Sequence, residues 1–319
     1  MTEKDYKDKR IAVLLSGGVD SSVVVYEMAR LGLHPDCYYI KIGPEEQEEW
    51  DCSSEEDLEM ANAVAHRYGC RLEVIDCHRE YWDKVTKYTM DKVRSGFTPN
   101  PDVMCNRLIK FGAFHEKVGH AYDLIATGHY AKTDYSEKYG RWAFKKSKAG
   151  KKDQSYVLWN IPKDLIQYVL FPLSDFESKE QIREIAREKN LKVANKPDSE
   201  DICFIPDGNY KKFLENNSNI KPKAGNIVNL EGKVLGKHTG LYNYTIGQRK
   251  GLGISYKAPL FVIGFNPQKN EVIVGEEKEL YKKDFIKEEI SEKIRLFYVA
   301  LTRAREKMII VLPEKETKK

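Results

Sequence analysis

No Cys-x-x-Cys pair occurs among the six cysteines, 37, 52, 70, 77, 105 and 203. A zinc site built on paired thiolates is therefore unsupported. Long hydrophobic runs are also missing, and nothing approaches the roughly 20 apolar residues that cross a bilayer. The stretch Met1–Arg10 is charged and has no apolar core, which predicts no signal peptide. Net charge is scarce: 53 Lys and Arg against 49 Asp and Glu leave only +4. Overall charge thus gives no sign of nucleic-acid binding, and local clustering has to carry that argument. No Gly-Lys-Ser/Thr stands at Walker A spacing, which excludes a P-loop nucleotidase. These absences together predict a cytoplasmic protein with reduced thiols and no membrane association. There, a special cysteine is more often catalytic than structural.

What is present centres on Ile11–Ser22, which reads Ile-Ala-Val-Leu-Leu-Ser-Gly-Gly-Val-Asp-Ser-Ser. A short branched apolar run reads as a buried strand. Two glycines then let the backbone turn sharply and approach a ligand. The spacing predicts a helix over Val23–Arg30, capped by Ser21 or Ser22 and ended by Gly32. Strand, glycine turn and helix N-terminus make an anion site, because backbone N–H groups and the helix dipole face one point. Ser-Gly-Gly-Val-Asp-Ser resembles the pyrophosphate loop of ATP pyrophosphatases, which split ATP into AMP and pyrophosphate. Asp20, beside this nest, is placed to hold Mg²⁺.

Further strands are expected at 37–42, 71–75 and 123–127. A helix with a Ser53–Glu56 capping box puts Leu58, Ala61, Ala65 and Tyr68 on one face and stops at Gly69. Another helix is expected over Tyr81–Arg94. Alternating strands and helices imply an α/β fold with a doubly wound parallel sheet of the ATP-pyrophosphatase type. Its ligands would sit at the carboxyl ends of the strands, near Ser16–Ser22, Ile40–Ile42 and Gly128.

Two prolines in Thr98-Pro99-Asn100-Pro101-Asp102 set an extended lead-in, and Asp102 is expected to cap a helix from Val103. That puts Cys105 in the first turn, where the dipole lowers a thiol pKa while Asp102 raises it. A lone cysteine of this kind is more often a small buried hydrophobe. Arg141, Lys145, Lys146, Lys148, Lys151 and Lys152 interleave with Trp142 and Phe144 and lead into Asp153-Gln154. Such a pattern suits a phosphate backbone and unpaired bases as well as it suits a solvated hairpin. Ser178 and Gln181 form a capping box for a helix to Glu188. Cys203 lies among acids, which disfavour a thiolate. Beyond a polar stretch near Asn217, strands are expected at 225–230, 233–237, 242–246, 260–265 and 271–274, a small β domain. It carries the basic, glycine-rich loop 247–253.

In chain order these motifs are Ser16–Ser21, Asn100-Pro101-Asp102 with Cys105-Asn106 and Ile109–Phe111, Ala126–Tyr130, Asp153–Tyr156, Ile202–Ile205 and Thr245–Gly251. Together they resemble the bacterial tRNA-specific 2-thiouridylase family from about Arg10 to Tyr281. The resemblance implies adenylation of the C2 oxygen of the wobble uridine, with release of pyrophosphate. Sulfur then comes from a persulfide on Cys203, and Cys105 resolves it through a transient disulfide. The family is also described with Cys105 as the nucleophile. Asp102 would be the acid/base. ATP, with substrate-bound Mg²⁺, would contact Leu14, Leu15, Ser16, Gly17, Gly18, Val19, Asp20, Ser21, Ile40 and Gly128. The tRNA would contact Asn100, Pro101, Asp102, Lys152, Asp153 and Gln154. Its implied partners are tRNAs of the Lys, Glu and Gln type and an upstream sulfur relay or cysteine desulfurase, acting on a monomer. A cytosolic two-cysteine system is suited to such exchange.

The implied domains are 1–217 for ATP pyrophosphatase and thiolation, 218–275 for a small tRNA-contacting β domain, and 276–319 for a truncated C-terminal region. Within that region Glu292–Lys307 resembles a late motif of superfamily-1 repair helicases, with Arg303 at its γ-phosphate-contacting arginine. The absence of a Walker A loop rules out helicase activity, so the tail reads as a replacement of most of a third domain. Two other readings compete with thiolation: a different adenylating ATP pyrophosphatase, opposed by the cysteine pair and the basic loop, and a catalytically impaired tRNA-binding protein, opposed by the intact nucleotide loop.

Overall fold

The computed structural model describes residues 3–42, 53–94, 99–197, 213 and 223–280. The chain divides into two compact units, Met1–Met90 with Asn100–Tyr210, and Asp91–Pro99 with Lys211–Lys319.

The first unit starts with a short helix α1 (Glu3–Tyr6), then β1 (Ile11–Leu14), α2 (Val19–Arg30), β2 (Asp36–Lys41), α3 (Ser53–Arg67) and β3 (Leu72–Asp76). A helical run follows: α4 (His78–Tyr81), a π-helical turn Trp82–Thr86, and α5 (Lys87–Arg94). Next come α6 (Pro101–Cys105), a π-helix Asn106–Ala113 and α7 (Phe114–Lys117). After them stand β4 (Leu124–Ala126), the hairpin β5 (Ala131–Ser136) and β6 (Arg141–Lys146), β7 (Val169–Leu170) and α8 (Lys179–Glu188). The main sheet is five-stranded, ordered β3-β2-β1-β4-β7, and each pairing in it is parallel. This is the parallel α/β architecture expected from the alternating elements.

β1 shows why the sheet is buried on both sides. Ile11, Val13 and Leu15 pack with α2, α3 and α8 through Val23, Val24, Ala61, Ala65 and Ile182. Ala12 and Leu14 point to the opposite core, with Tyr38, Val103, Phe111 and Phe114. Side chains alternate across a strand, so an uninterrupted apolar run fills two cores at once. Ala61 and Ala65 are buried on the expected face of α3, with Leu58 and Tyr68 packed beside them. Gly32 and Gly69 take left-handed backbone just past the ends of α2 and α3, at φ +71° and +65°.

The second unit holds a four-stranded sheet of β8 (Gly225–Val228), β9 (Val234–His238), β10 (Phe261–Asn266) and β11 (Glu271–Gly275), ordered β10-β11-β8-β9. β8 and β11 pair in parallel, and the other two pairings are antiparallel. Its core is Ile227, Tyr244, Leu252, Leu260, Val262, Val272 and Val274. The strand expected at Tyr242–Ile246 does not form. A 3₁₀ turn occupies Leu241–Asn243, and the Thr245 N–H donates to the Gln248 side chain at 2.9 Å, which closes a turn where a ladder would have run. The following loop is sewn to β10 by Gly247 N–H to Val262 O (2.7 Å) and Val262 N–H to Gln248 O (2.9 Å). Among the described residues, no helix is long and apolar enough to cross a membrane. The Ser53 capping box, Cys203, the Asn217 linker and the helicase-like tail lie outside the described residues or side chains.

Candidate active site

The turn after β1 is held from three directions. Gly17 has φ +75°, and a Cβ there would overlap the backbone carbonyl of Asp57 in the first turns of α3. Only glycine fits both constraints. Gly128, just past β4, packs on the other side: a Cβ there would lie 2.9 Å from Ser21 N and 3.1 Å from Asp20 Cβ. Lys196 ion-pairs with the Asp57 side chain, so the segment that leads toward Cys203 is tied to the helix touching Gly17.

The helix itself begins earlier than its serines suggest. α2 starts at Val19, with Gly18 as an N-cap that offers no side-chain bond. Ser21 and Ser22 therefore lie inside the first turn, and both hydroxyls donate back to Gly18 O, at 3.2 and 2.8 Å. Ser21 Oγ also accepts from Ser16 N–H at 3.2 Å, closing the loop on itself. The N–H groups of the first turn have no carbonyl one turn back, so they and the dipole face the glycine turn. That is a nest for an anion, with no side chain filling the cap.

Among the other expected nucleotide contacts, the Leu14, Leu15 and Val19 side chains belong to the cores, so only their backbone is available to a ligand. Ile40, in β2, packs at the edge of the second core. Asp20 is already occupied: Oδ1 accepts from Tyr130 OH at 2.6 Å and Oδ2 from Lys179 Nζ at 2.5 Å. The first duty of this carboxylate is to hold a lysine and a tyrosine. Tyr130 and Lys179 are the site residues that sequence reasoning missed. One signal was readable: Lys179 is the first residue of α8, where the dipole favours an acid over a cation.

The thiol-bearing segment packs on the sheet's other face through Val103, which shares an apolar cluster with Leu14 and Tyr38. Here the cap is Asn100, not Asp102: Asn100 Oδ1 accepts from Val103 N–H at 3.2 Å, and Pro101 stands at the first helical position. Proline there loses no bond and has a helix-ready φ, which shifts the start upstream. Asn100 and Asp102 are exposed and Pro101 is buried. Cys105 consequently lies a full turn in, beyond the strongest dipole field, and is buried at 4% exposure. A π-helix begins at the next residue. Such widened turns recur at functional sites. Gly112 permits the turn, since a Cβ there would come within 2.7 Å of Arg107 O.

His129 lies between these parts. Its Nδ1 is 2.8 Å from Thr127 Oγ1, and its ring meets Phe171 edge-on at 6.2 Å. Burial, aided by Lys110, holds it well below the usual histidine range, so it is neutral. Of the three expected tRNA contacts after β6, Lys152 is exposed. Asp153 accepts from Ser147 N–H (2.7 Å) and Ser155 Oγ (2.5 Å), and Gln154 Oε1 accepts from Tyr130 N–H (3.0 Å). In the second unit, Arg249, Tyr256, Lys257 and Leu260 line an open recess of about 440 Å³, which holds none of the thiolation residues.

The family model for the tRNA methyl transferase HUP domain matches residues 9–207, and that for the tRNA methyl transferase PRC-barrel domain matches 211–276. The tRNA-specific 2-thiouridylase MnmA of Parabacteroides distasonis is 47% identical over 267 residues, 83% of this chain and 73% of the relative. The chain belongs to the tRNA-specific 2-thiouridylase family. Other 2-thiouridylases support this, from Porphyromonas gingivalis at 43% identity (88% of this chain, 80% of the relative) and Clostridioides difficile at 38% (90% and 80%). The family's matched region contains both the glycine turn and the α6 segment.

Proposed function

We propose that this protein is a tRNA-uridine 2-sulfurtransferase, which transfers persulfide sulfur to C2 of the wobble uridine of tRNA at the expense of ATP. The observation that carries the reading is an anion nest, Ser16–Ser21 closed by Gly128, in a chain 47% identical to a named 2-thiouridylase. The ATP polyphosphate docks on the first turn of α2. Uridine O2 attacks the α-phosphorus, the bond to the bridging oxygen breaks, and pyrophosphate leaves with that electron pair. Asp102 takes the N3 proton and later returns it. The terminal persulfide sulfur of Cys203 then attacks C2, and AMP departs with the former O2. Cys105 thiolate attacks Cys203 Sγ, the S–S bond breaks, and its electrons stay on the sulfur now bound to C2. A Cys105–Cys203 disulfide is left, for reduction by an external dithiol.

Asn100 and Asp102, exposed on either side of the buried Pro101, form the contact surface for the target base, and Lys152 with the Asp153–Gln154 turn supports the tRNA. Residues 1–217 carry adenylation and thiolation, and 218–275 contact the tRNA. Among the described residues no three His, Cys, Asp or Glu side chains gather as a metal site. In this reading Mg²⁺ comes bound to the ATP substrate, and no step is assigned to it. The reading also includes a cytoplasmic monomer, tRNAs of the Lys, Glu and Gln type, and a sulfur relay or desulfurase as donor.

The test is pyrophosphate release with ATP and unmodified tRNA, followed by mercury-gel detection of thiolated product when a persulfide donor is added. Cys203→Ser should keep pyrophosphate release and lose thiolation. The family model's description raises methyl transfer as the rival. Methylation from S-adenosylmethionine without pyrophosphate release would overturn the proposal.

A further inference from the structure

Lys179 has no place in the scheme above, yet it is a cation held firmly beside the glycine turn. It comes 159 residues after Asp20, on the first turn of α8, and its Nζ lies 2.5 Å from Asp20 Oδ2. Its side chain is only 14% exposed, and that of Asp20 only 27%. The same carboxylate accepts from Tyr130 OH at 2.6 Å, and Nζ stands 6.0 Å from the Tyr130 ring centroid.

Two features make this more than a fastening between helices. A carboxylate in the first turn of α2, at the mouth of an anion nest, would by itself repel a polyphosphate. Lys179 cancels that charge where it does most harm. The lysine also sits at the positive end of its own helix, where a cation is disfavoured. A position unfavourable to α8 alone suits a cation held ready for negative charge. Gly128 backs the same turn, so the cation, the nest and the β4 loop converge on one spot.

We propose that Lys179 is a further polyphosphate-binding residue of the adenylation step, held by Asp20 and Tyr130 until ATP arrives and then donating hydrogen bonds to the β- and γ-phosphates. The proposal rests on the adenylation reading given above. As the O2–Pα bond forms, the electron pair of the breaking Pα–O bond passes to the leaving pyrophosphate. The ammonium stabilises that developing charge and transfers no proton. Asp20 and Tyr130 are positioning residues in this arrangement.

The experiment compares wild type with Lys179→Met, Lys179→Gln and Lys179→Arg. Binding of ATP, AMP and inorganic pyrophosphate is measured by ligand-induced shifts in melting temperature and by titration. Pyrophosphate release is measured under single turnover with tRNA. Lys179→Met and Lys179→Gln should weaken ATP and pyrophosphate binding at least about tenfold and leave AMP within about twofold. They should slow pyrophosphate release by on the order of a hundredfold. Lys179→Arg should recover part of the loss. If ATP and AMP affinities fall together, or if only the unliganded melting temperature falls, Lys179 is a structural tie and the proposal is overturned. A wild type that binds no ATP would overturn the adenylation reading, and this proposal with it. A wild type that binds ATP beside a Lys179→Gln variant that binds it equally well would overturn this proposal alone.

Discussion

Gln154 and Tyr130 exchange two hydrogen bonds: Tyr130 N–H donates to Gln154 Oε1 at 3.0 Å, and Gln154 N–H donates to Tyr130 O at 2.8 Å. Tyr130 in turn holds Asp20, so the loop after β6 is coupled to the nucleotide turn. Gln154→Ala deletes the side-chain bond and should cost about 1 kcal/mol of stability. Loosening Tyr130 should also raise KM for ATP several-fold. Urea unfolding and steady-state pyrophosphate release check the two effects. A variant with weakened tRNA binding and unchanged stability and ATP response would instead make Gln154 a direct RNA contact.

Gly128→Ala tests the packing of the β4 loop on α2. The added Cβ would lie 2.9 Å from Ser21 N, closer than ordinary contacts allow. The loop or the first helical turn must move, and the nest with it. Overpacking of this kind costs about 1–3 kcal/mol. ATP affinity should fall at least about tenfold, with circular dichroism at room temperature unchanged. Unaltered affinity by calorimetry would show that the nest does not depend on Gly128.

The short-range parts of this site were legible, and the long-range parts were not. The turn from Ile11 to Ser22 could be read because apolar run, glycines and helix follow one another. Even there, the serines did not cap α2: once Gly18 took that position, their hydroxyls turned back to its carbonyl. At α6 two Asx residues flank Pro101, and the preference of proline for the first helical position decides for Asn100. The pairing of Asp20 with Lys179 spans 159 residues and leaves no periodic mark. Only the misfit of a lysine at a helix start hinted at it. In the second unit, an alternating stretch at 242–246 lost to a turn because Gln248 supplied a competing acceptor.

His129 sets a pH dependence. Its folded pKa is depressed well below 6.5 by burial, so the unfolded chain binds the proton more readily. The neutral ring's contribution to stability is present above the unfolded value of about 6.5. It is lost as pH falls from there toward the folded pKa. Urea midpoints should therefore drop between about pH 7 and pH 5. His129→Asn, which keeps a polar partner for Thr127 Oγ1, should flatten that slope. An identical slope in the variant would assign the acid sensitivity to other groups.

The four described cysteines should differ sharply in reactivity. None is in a disulfide. Cys37 is buried, and its thiol is pushed upward by its hydrogen bond to Cys70 and by burial. The same hydrogen bond lowers the half-buried Cys70, since a donor proton stabilises its thiolate. Burial pushes Cys77 up to about 11. Cys105 is buried at 4% exposure. The thiolate is the nucleophile, so reaction follows thiolate fraction and access. Iodoacetamide at neutral pH should label Cys70 first of the four, with Cys77 and Cys37 protected until the protein unfolds. Peptide mass spectrometry over a time course reads the order. Adding ATP and tRNA should leave Cys70 unchanged and alter the rate at Cys105, because in the proposed mechanism the segment that carries Cys105 meets the base. If Cys105 labels fastest in the free protein, its thiol is accessible without substrate. If its rate ignores tRNA, it does not act at the base.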